Sequence, residues 1–276
     1  MSSNFLAPAE IAEAAAKSGE DKANSSILKL LVLGFLAGAF IAMGFIFDIR
    51  VTASLPEQWG SLKSLLGGAV FPIGLMFVII AGGELLTGNM MTLPLALHKK
   101  RIKITGLIYN WFFVLIGNFL GSIFMAGLGI WSQVLSADPY KSATIAVATS
   151  KATLAFGPTV ASAIGCNWLV CLAVWMALGS KDVISKIFAI WFPVMAFVAI
   201  GFQHVVANMF IIPAAIWLGA DISWGQAIVE WCGAFIGNAI GGWLFVGVAY
   251  YLTYLRGRSK AGVSDVSEEQ RTGATL

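Results

Sequence analysis

Residues 187–218 read IFAIWFPVMAFVAIGFQHVVANMFIIPAAIWL. The run is longer than the roughly 20 residues that a straight membrane-crossing helix needs, yet its middle holds Gly201, Gln203, His204 and Asn208. A long apolar segment with a polar, glycine-bearing centre reads as a helix interrupted at mid-membrane. His204 is one of only two histidines, and the other, His98, sits beside Lys99-Lys100-Arg101. Desolvation makes an ionisable side chain expensive at membrane depth, so such a group marks a functional site by default. The plainer alternative is a buried, neutral histidine that bonds a neighbouring helix.

Composition agrees with a polytopic membrane protein. Of 276 residues, 58% are hydrophobic and 11% charged, against about 25% charged in soluble domains. The chain carries 30 glycines and 10 tryptophans; glycine lets helices approach closely in lipid and tryptophan gathers at the membrane interfaces. The net charge of +3 lies in loops rather than on one face, which argues against a nucleic-acid partner. Cys166, Cys171 and Cys232 fall within apolar segments without disulfide or metal spacing, and read as reduced thiols. The first 25 residues lack the apolar core of a cleavable signal peptide.

Apolar stretches recur at 27–47, 65–97, 107–135, 157–178, 187–218 and 227–255. The second resembles the fifth in being overlong, with Gly82-Gly83-Glu84 and Thr87-Gly88-Asn89 at its centre. Six spans with both ends on one side gather 13 of the 17 basic residues on that side, so the positive-inside rule predicts cytoplasmic termini. Residues 5–23 read as an amphipathic helix, Phe5, Ile11, Ala14 and Ala15 against Glu10, Glu13 and Lys17, lying at the membrane surface or against the bundle. The expected organisation is an N-terminal helical segment (1–26), a six-span domain (27–255) and a disordered polar tail (256–276).

The two overlong segments align. Residues 87–96 (TGNMMTLPLA) set above 206–215 (VANMFIIPAA) match at Asn, Met, Pro and the last Ala, and Gly117-Asn118-Phe119-Leu120-Gly121 matches Gly237-Asn238-Ala239-Ile240-Gly241. Two matches this close to register predict a duplication of 27–135 as 157–255. Three spans per half force opposite orientation, which sets the broken helices face to face about the midplane. Asn89 and Asn208 are the expected N-caps of the half-helices, whose dipoles favour an anion near the break. Asn118 and Asn238 read as interhelical hydrogen bonds rather than pore groups.

Residues 80–88 (IAGGELLTG) resemble the first signature of the formate/nitrite transporter family, and 163–173 (AIGCNWLVCLA) resemble the second. Gly201-Phe202-Gln203-His204 with Ala207-Asn208-Met209 is similar to the family's fifth-span break and its central histidine. The resemblance covers about 27–255. It implies an all-α, aquaporin-like protomer of two inverted three-span repeats, a homopentamer in lipid, and one pore per protomer for small monovalent anions. By matching position, Phe71, Leu75 and Phe197 would form the outer constriction and Leu85 with Leu86 the inner one, with Val170 also counted among the constriction residues. His204, Thr87, Lys151, Asn167, Asn89 and Asn208 would line the substrate pathway, with Thr87 on the loop that breaks span two and Lys151 and Asn167 flanking the outer vestibule and the pore. No cofactor or metal is implied. Gln203 stands where some members carry Glu, and Leu86 where some carry Phe.

The chemistry expected of such a pore follows from two magnitudes. An isolated charge in a low-dielectric medium costs tens of kcal/mol. Protonating a weak acid with a pKa near 4 at pH 7 costs about 4 kcal/mol. Passage as the neutral acid wins, and His204 is the candidate proton source: neutral in the empty pore, with a pKa that an arriving anion raises. Lys151 is expected to concentrate anions at the mouth, and Glu84 to face away and bond backbone of the break. The function read from these residues is passive or proton-coupled formate transport across a bacterial inner membrane, with nitrite or hydrosulfide as close rivals and lactate as a further one. A neutral-solute channel is the second class. A membrane enzyme is disfavoured, because one histidine with scattered cysteines makes no catalytic group.

Overall fold

The computed structural model describes residues 5–257, all of them helical or connecting turns apart from a short bridge between Phe5 and Ser180. The tail expected at 256–276 lies, beyond Gly257, outside the described residues. Ten helices follow in order: α1 (Pro8–Ala23), α2 (Ile27–Thr52), α3 (Ser61–Gly82), α4 (Leu86–His98), α5 (Ile104–Trp131), α6 (Tyr140–Ala152), α7 (Phe156–Gly179), α8 (Val183–Ile200), α9 (Val205–Trp217) and α10 (Trp224–Leu255). Six of these, α2, α3, α5, α7, α8 and α10, are long and apolar enough to cross a bilayer, and the chain is a multi-pass membrane protein. Large apolar side chains such as Ile108, Phe112, Phe124, Phe192 and Ile228 are exposed on their outward faces, a surface that water would not tolerate as a contiguous patch.

The overlong segments resolve as expected into a span followed by a separate short helix. α4 is buried at every position from Leu86 to Ala96 and α9 from Val205 to Ala215. A helix that is apolar all round belongs in a core, and these two form the centre of the bundle. Around them α2 packs on α5, and α7 on α10.

Glycine sets the first of those contacts. Gly34 and Gly117 face each other so closely that a Cβ on Gly117 would lie 2.9 Å from the Gly34 Cα. Backbone-to-backbone approach of this kind replaces the hydrophobic drive that lipid removes.

α1 starts on Pro8, whose missing N–H is harmless at the first helical position, and Glu10 reaches back to accept from the Ala7 N–H at 2.7 Å. The helix lies against the bundle, with Ile11, Ala12, Ala15, Ala16 and Gly19 buried on α4 and α7. Two members of the expected apolar face are corrected: Phe5 is exposed and Ala14 only half-buried, because the buried stripe centres one residue further round, on Ala12 and Ala16. Glu13 fastens the other side, accepting from Lys99 at 2.7 Å and from Arg101. Burial raises its pKa, but the two cations together hold it below the usual carboxylate value. α6 has no counterpart among the sequence expectations. It precedes α7 in the chain as α1 precedes α2.

Gly117→Leu should lower the thermal stability of the detergent-solubilised protein by at least about 1–3 kcal/mol, the ordinary cost of overpacking. Gly157→Leu, where a Cβ meets nothing within 4 Å, should leave the unfolding temperature in place.

Candidate functional site

α3 ends at Gly82 (φ 102°) and α8 at Gly201 (φ 85°), both in the left-handed region that glycine adopts without strain. Short non-helical segments, Gly83–Leu85 and Phe202–His204, then lead into α4 and α9. A helix that starts inside the bundle exposes backbone N–H groups that must be satisfied. Asn118 of α5 accepts from the Leu86 N–H at 2.9 Å, and Asn238 of α10 accepts from the Val205 N–H at 2.9 Å. Each amide also donates twice. Asn118 bonds the Gly34 and Glu84 carbonyls at 2.9 and 2.8 Å, and Asn238 bonds those of Ala163 and Gln203 at 2.8 and 3.0 Å. The interhelical role expected of both residues is what the geometry has.

Asn89 and Asn208 are not the N-caps. They occupy the fourth helical position, with backbone N–H groups already bonded to Leu85 and His204 carbonyls at 3.1 and 2.9 Å. The helices begin four residues earlier than an asparagine cap implies, because the neighbouring spans supply the acceptors. Pro94 and Pro213 accordingly sit inside their helices, at the ninth position rather than the fifth that an asparagine cap would give.

Asn89 and Asn208 instead hold two polar clusters, one per half. In the first, Lys22 of α1 donates to Glu84 Oε2 at 2.9 Å and to Asn89 Oδ1 at 2.8 Å; Asn89 Nδ2 donates to Glu84 Oε2 and to Asn110 Oδ1, both at 2.9 Å. In the second, Lys151 of α6 donates to Gln203 Oε1 at 3.0 Å, while Asn208 Nδ2 donates to Gln203 Oε1 at 2.9 Å and Glu230 Oε1 at 2.5 Å. Glu84 is thereby corrected: its carboxylate takes an ammonium and a side-chain amide, not backbone groups of the break. An acid at this depth needs a charge partner more than it needs another dipole.

His204 is the N-cap of α9. Its Nδ1 accepts from the Ala207 N–H at 3.2 Å, and its Nε2 lies 3.0 Å from Thr87 Oγ1, in the first turn of α4 rather than on a loop. A nitrogen that accepts carries no proton, so the bonding pattern assigns the neutral tautomer with hydrogen on Nε2, donating toward Thr87. The Phe197 ring stacks on the imidazole at 5.8 Å, and Phe71 meets Phe197 edge-on, also at 5.8 Å.

A cavity of about 530 Å³ reaches this point. Ser64 is an exposed member of its lining; Phe71, Phe197, His204 and Ala207 are buried members of it. Asp48, Thr52, Lys63, Lys151 and Gln203 supply its polar surface. Lys151 is therefore a half-buried wall residue on a helix and not a plain loop lysine. Burial drives its pKa down, with Glu230 and Asp48 among the charges that oppose the shift.

Leu75, Leu85, Leu86 and Val170 are buried in the same core and are not part of the cavity wall. Asn167 is fully buried; its amide donates to the carbonyls of Thr87 at 3.1 Å and Asn238 at 2.7 Å. It ties α4 to α10 instead of flanking the vestibule.

Lys22, Asn110 and Glu230 escaped the sequence reading. The signal was present: the offset of 119 that pairs Asn89 with Asn208 also pairs Glu84 with Gln203, and the offset of 120 that pairs Asn118 with Asn238 pairs Asn110 with Glu230. Lys22 and Lys151 lie outside the aligned blocks, so only the shared contacts reveal them.

The family description "Formate/nitrite transporter" matches residues 9–252. The chain is 53% identical to an uncharacterized transporter, YrhG, of Bacillus subtilis, over 95% of this chain and 99% of that one. It is 49% identical to the formate channel BtFdhC of Bacillus thuringiensis, over 92% and 98%. A solved pentameric formate channel with formate bound superposes with a TM-score of 0.73 at 30% identity, covering 83% of this chain and 98% of the other.

Breaking the first cluster should destabilise the protein. Lys22→Met leaves the Glu84 carboxylate, only 10% exposed, without its cation; a fully buried pair would lose about 3–5 kcal/mol, and partial exposure here reduces that to about 2. Adding Glu84→Gln should recover more than half of the loss in thermal unfolding.

Proposed function

Because this chain belongs to the formate/nitrite transporter family, we propose that it carries formate across a bacterial inner membrane, proton-coupled, through one pore in each protomer of a homopentamer. Its relatives are named transporters and channels, and it is not an enzyme. The formate and the pentamer come from the formate channel relative and from the formate-bound pentameric structure it resembles. The exposed apolar faces of its spans suit burial in lipid and between subunits. We take both termini as cytoplasmic from the distribution of basic residues, which sets the Lys22 cluster on the cytoplasmic side and the Lys151 cavity outside. The two halves then form inverted, aquaporin-like repeats whose helix breaks meet at mid-membrane.

The observation that carries this reading is the position of His204. It lies at the buried end of the cavity, beside the ring pair Phe71 and Phe197, and bridges the first turns of α4 and α9 through Thr87 and Ala207. Helix N-termini attract an anion, while aromatic walls exclude its hydration shell. Neutralisation, at about 4 kcal/mol against tens for the bare ion, is the cheaper way through.

The capping geometry sharpens the proton step. A second proton on the imidazole must go to Nδ1, which now accepts from Ala207, and losing that bond costs about 1–3 kcal/mol. The N-terminal dipoles oppose an imidazolium as well. An anion held about 4 Å away offsets roughly 4 kcal/mol at an effective dielectric of 20. The imidazolium thus forms only when an anion is present, and proton and anion leave together as the neutral acid. Phe71, Leu75 and Phe197 serve in this reading as the outer constriction, Leu85, Leu86 and Val170 as the inner one, and Lys151 collects anions at the outer mouth.

Proteoliposomes containing the wild-type protein should accumulate formate under an inward proton gradient, faster at pH 6 than at pH 8; His204→Phe should reduce that uptake to the protein-free background. Uptake by the variant equal to wild type would refute the role of His204. Parallel assays with nitrite and hydrosulfide measure which weak acid is preferred, since their charge and size suit the same pore.

A further inference from the structure

The two polar clusters have the same parts in a different order. Each holds one lysine from the helix that precedes its half, one asparagine from the fourth position of its half-helix, one carboxylate and one neutral amide. In the first cluster the carboxylate is Glu84, on the break, and the amide is Asn110, on the following span. In the second the break carries the amide, Gln203, and the following span carries the carboxylate, Glu230. The charge has changed places, and the total has not.

We propose that Glu230 is the counter-charge of Lys151, acting through Asn208 as a positioning residue, and that Gln203 at the break leaves the Lys151 ammonium free to take an incoming anion. This rests on the anion-conducting reading above.

Three observations support it. Lys22 is tied down by a direct ion pair at 2.9 Å, whereas Lys151 donates to an uncharged amide oxygen at 3.0 Å. An ammonium against a carboxylate gains the Coulomb attraction of opposite unit charges, which a neutral amide oxygen does not supply, so Lys151 is the more easily drawn to a new partner. Glu230 is 3% exposed, and a carboxylate that deep is destabilising unless a cation compensates it. Finally, Glu230 Oε2 and Asn208 Oδ1 have no hydrogen-bond partner among the described residues. In the first cluster the equivalent asparagine oxygen is taken by its lysine at 2.8 Å. Two idle acceptors thus remain beside an ammonium that has three donors to distribute. The lysine can serve the cavity while its compensating charge stays two amides away, beyond Gln203 and Asn208.

The test separates charge balance from anion capture. The full-length protein and the variants Glu230→Gln, Gln203→Glu/Glu230→Gln and Lys151→Met/Glu230→Gln are compared by thermal unfolding in detergent and by formate uptake over a concentration series. Glu230→Gln should lower Tm, because a buried charge loses its compensating partner. It should also raise the half-saturating formate concentration about tenfold, because a buried ammonium without a counter-charge gives up its proton and with it the attraction for an anion. Moving the carboxylate back to the break, in Gln203→Glu/Glu230→Gln, should restore Tm but leave the half-saturating concentration high, because the ammonium is now held in a direct ion pair. Removing both charges should also recover Tm. If Glu230→Gln matches wild type in both measurements, or if neither double variant is more stable than Glu230→Gln, the proposal is overturned. The same holds if Gln203→Glu/Glu230→Gln binds formate as tightly as wild type. Should the wild-type protein take up no formate, the transport reading fails by itself, and the three Tm comparisons still decide whether Glu230 balances Lys151.

Discussion

A backbone that leaves its helix inside an apolar bundle must find a partner for every N–H and C=O it releases, since no water is at hand to supply one. This chain does so twice, and the solution is the same both times. One asparagine on the following span, Asn118 or Asn238, accepts from the first N–H of the new helix and donates to two carbonyls, one on the break itself and one on the span that opens that half. The rest of the site depends on those two clamps. They fix where α4 and α9 begin, and so which side chains stand at their ends.

At one of those ends stands His204, and its capping bond has a chemical consequence. By accepting from Ala207, the ring is held neutral with its remaining hydrogen toward Thr87. A histidine free to rotate would have no such preference between its two nitrogens. The break therefore determines both the location of the imidazole and its tautomer. Leu85 is the N-cap of α4 as His204 is of α9, so of these two cap positions one carries a titratable ring.

Two lysine clusters look alike and are wired differently. The Lys22 cluster is closed on itself, ammonium to carboxylate, and α1 is anchored there as well as at Glu13. The Lys151 cluster keeps unfilled acceptors on Asn208 and Glu230, and its lysine lines the cavity.

Much of this was legible in the chain itself. Hydropathy gave six spans and two interruptions, glycine at Gly82 and Gly201 marked where each helix stops, and the lone deep imidazole pointed to the site, because the cost of burying a polar group is local and shows wherever it occurs. The register of the repeat even contained the Glu84–Gln203 and Asn110–Glu230 correspondences. What only the tertiary structure decided is which group answers which. Asn118 rather than Asn89 caps α4, Glu84 meets Lys22 from 62 residues away, and Lys151 turns toward Gln203 rather than to solvent. A hydrogen bond is chosen by distance and direction among all groups that folding brings together, and chain position carries neither.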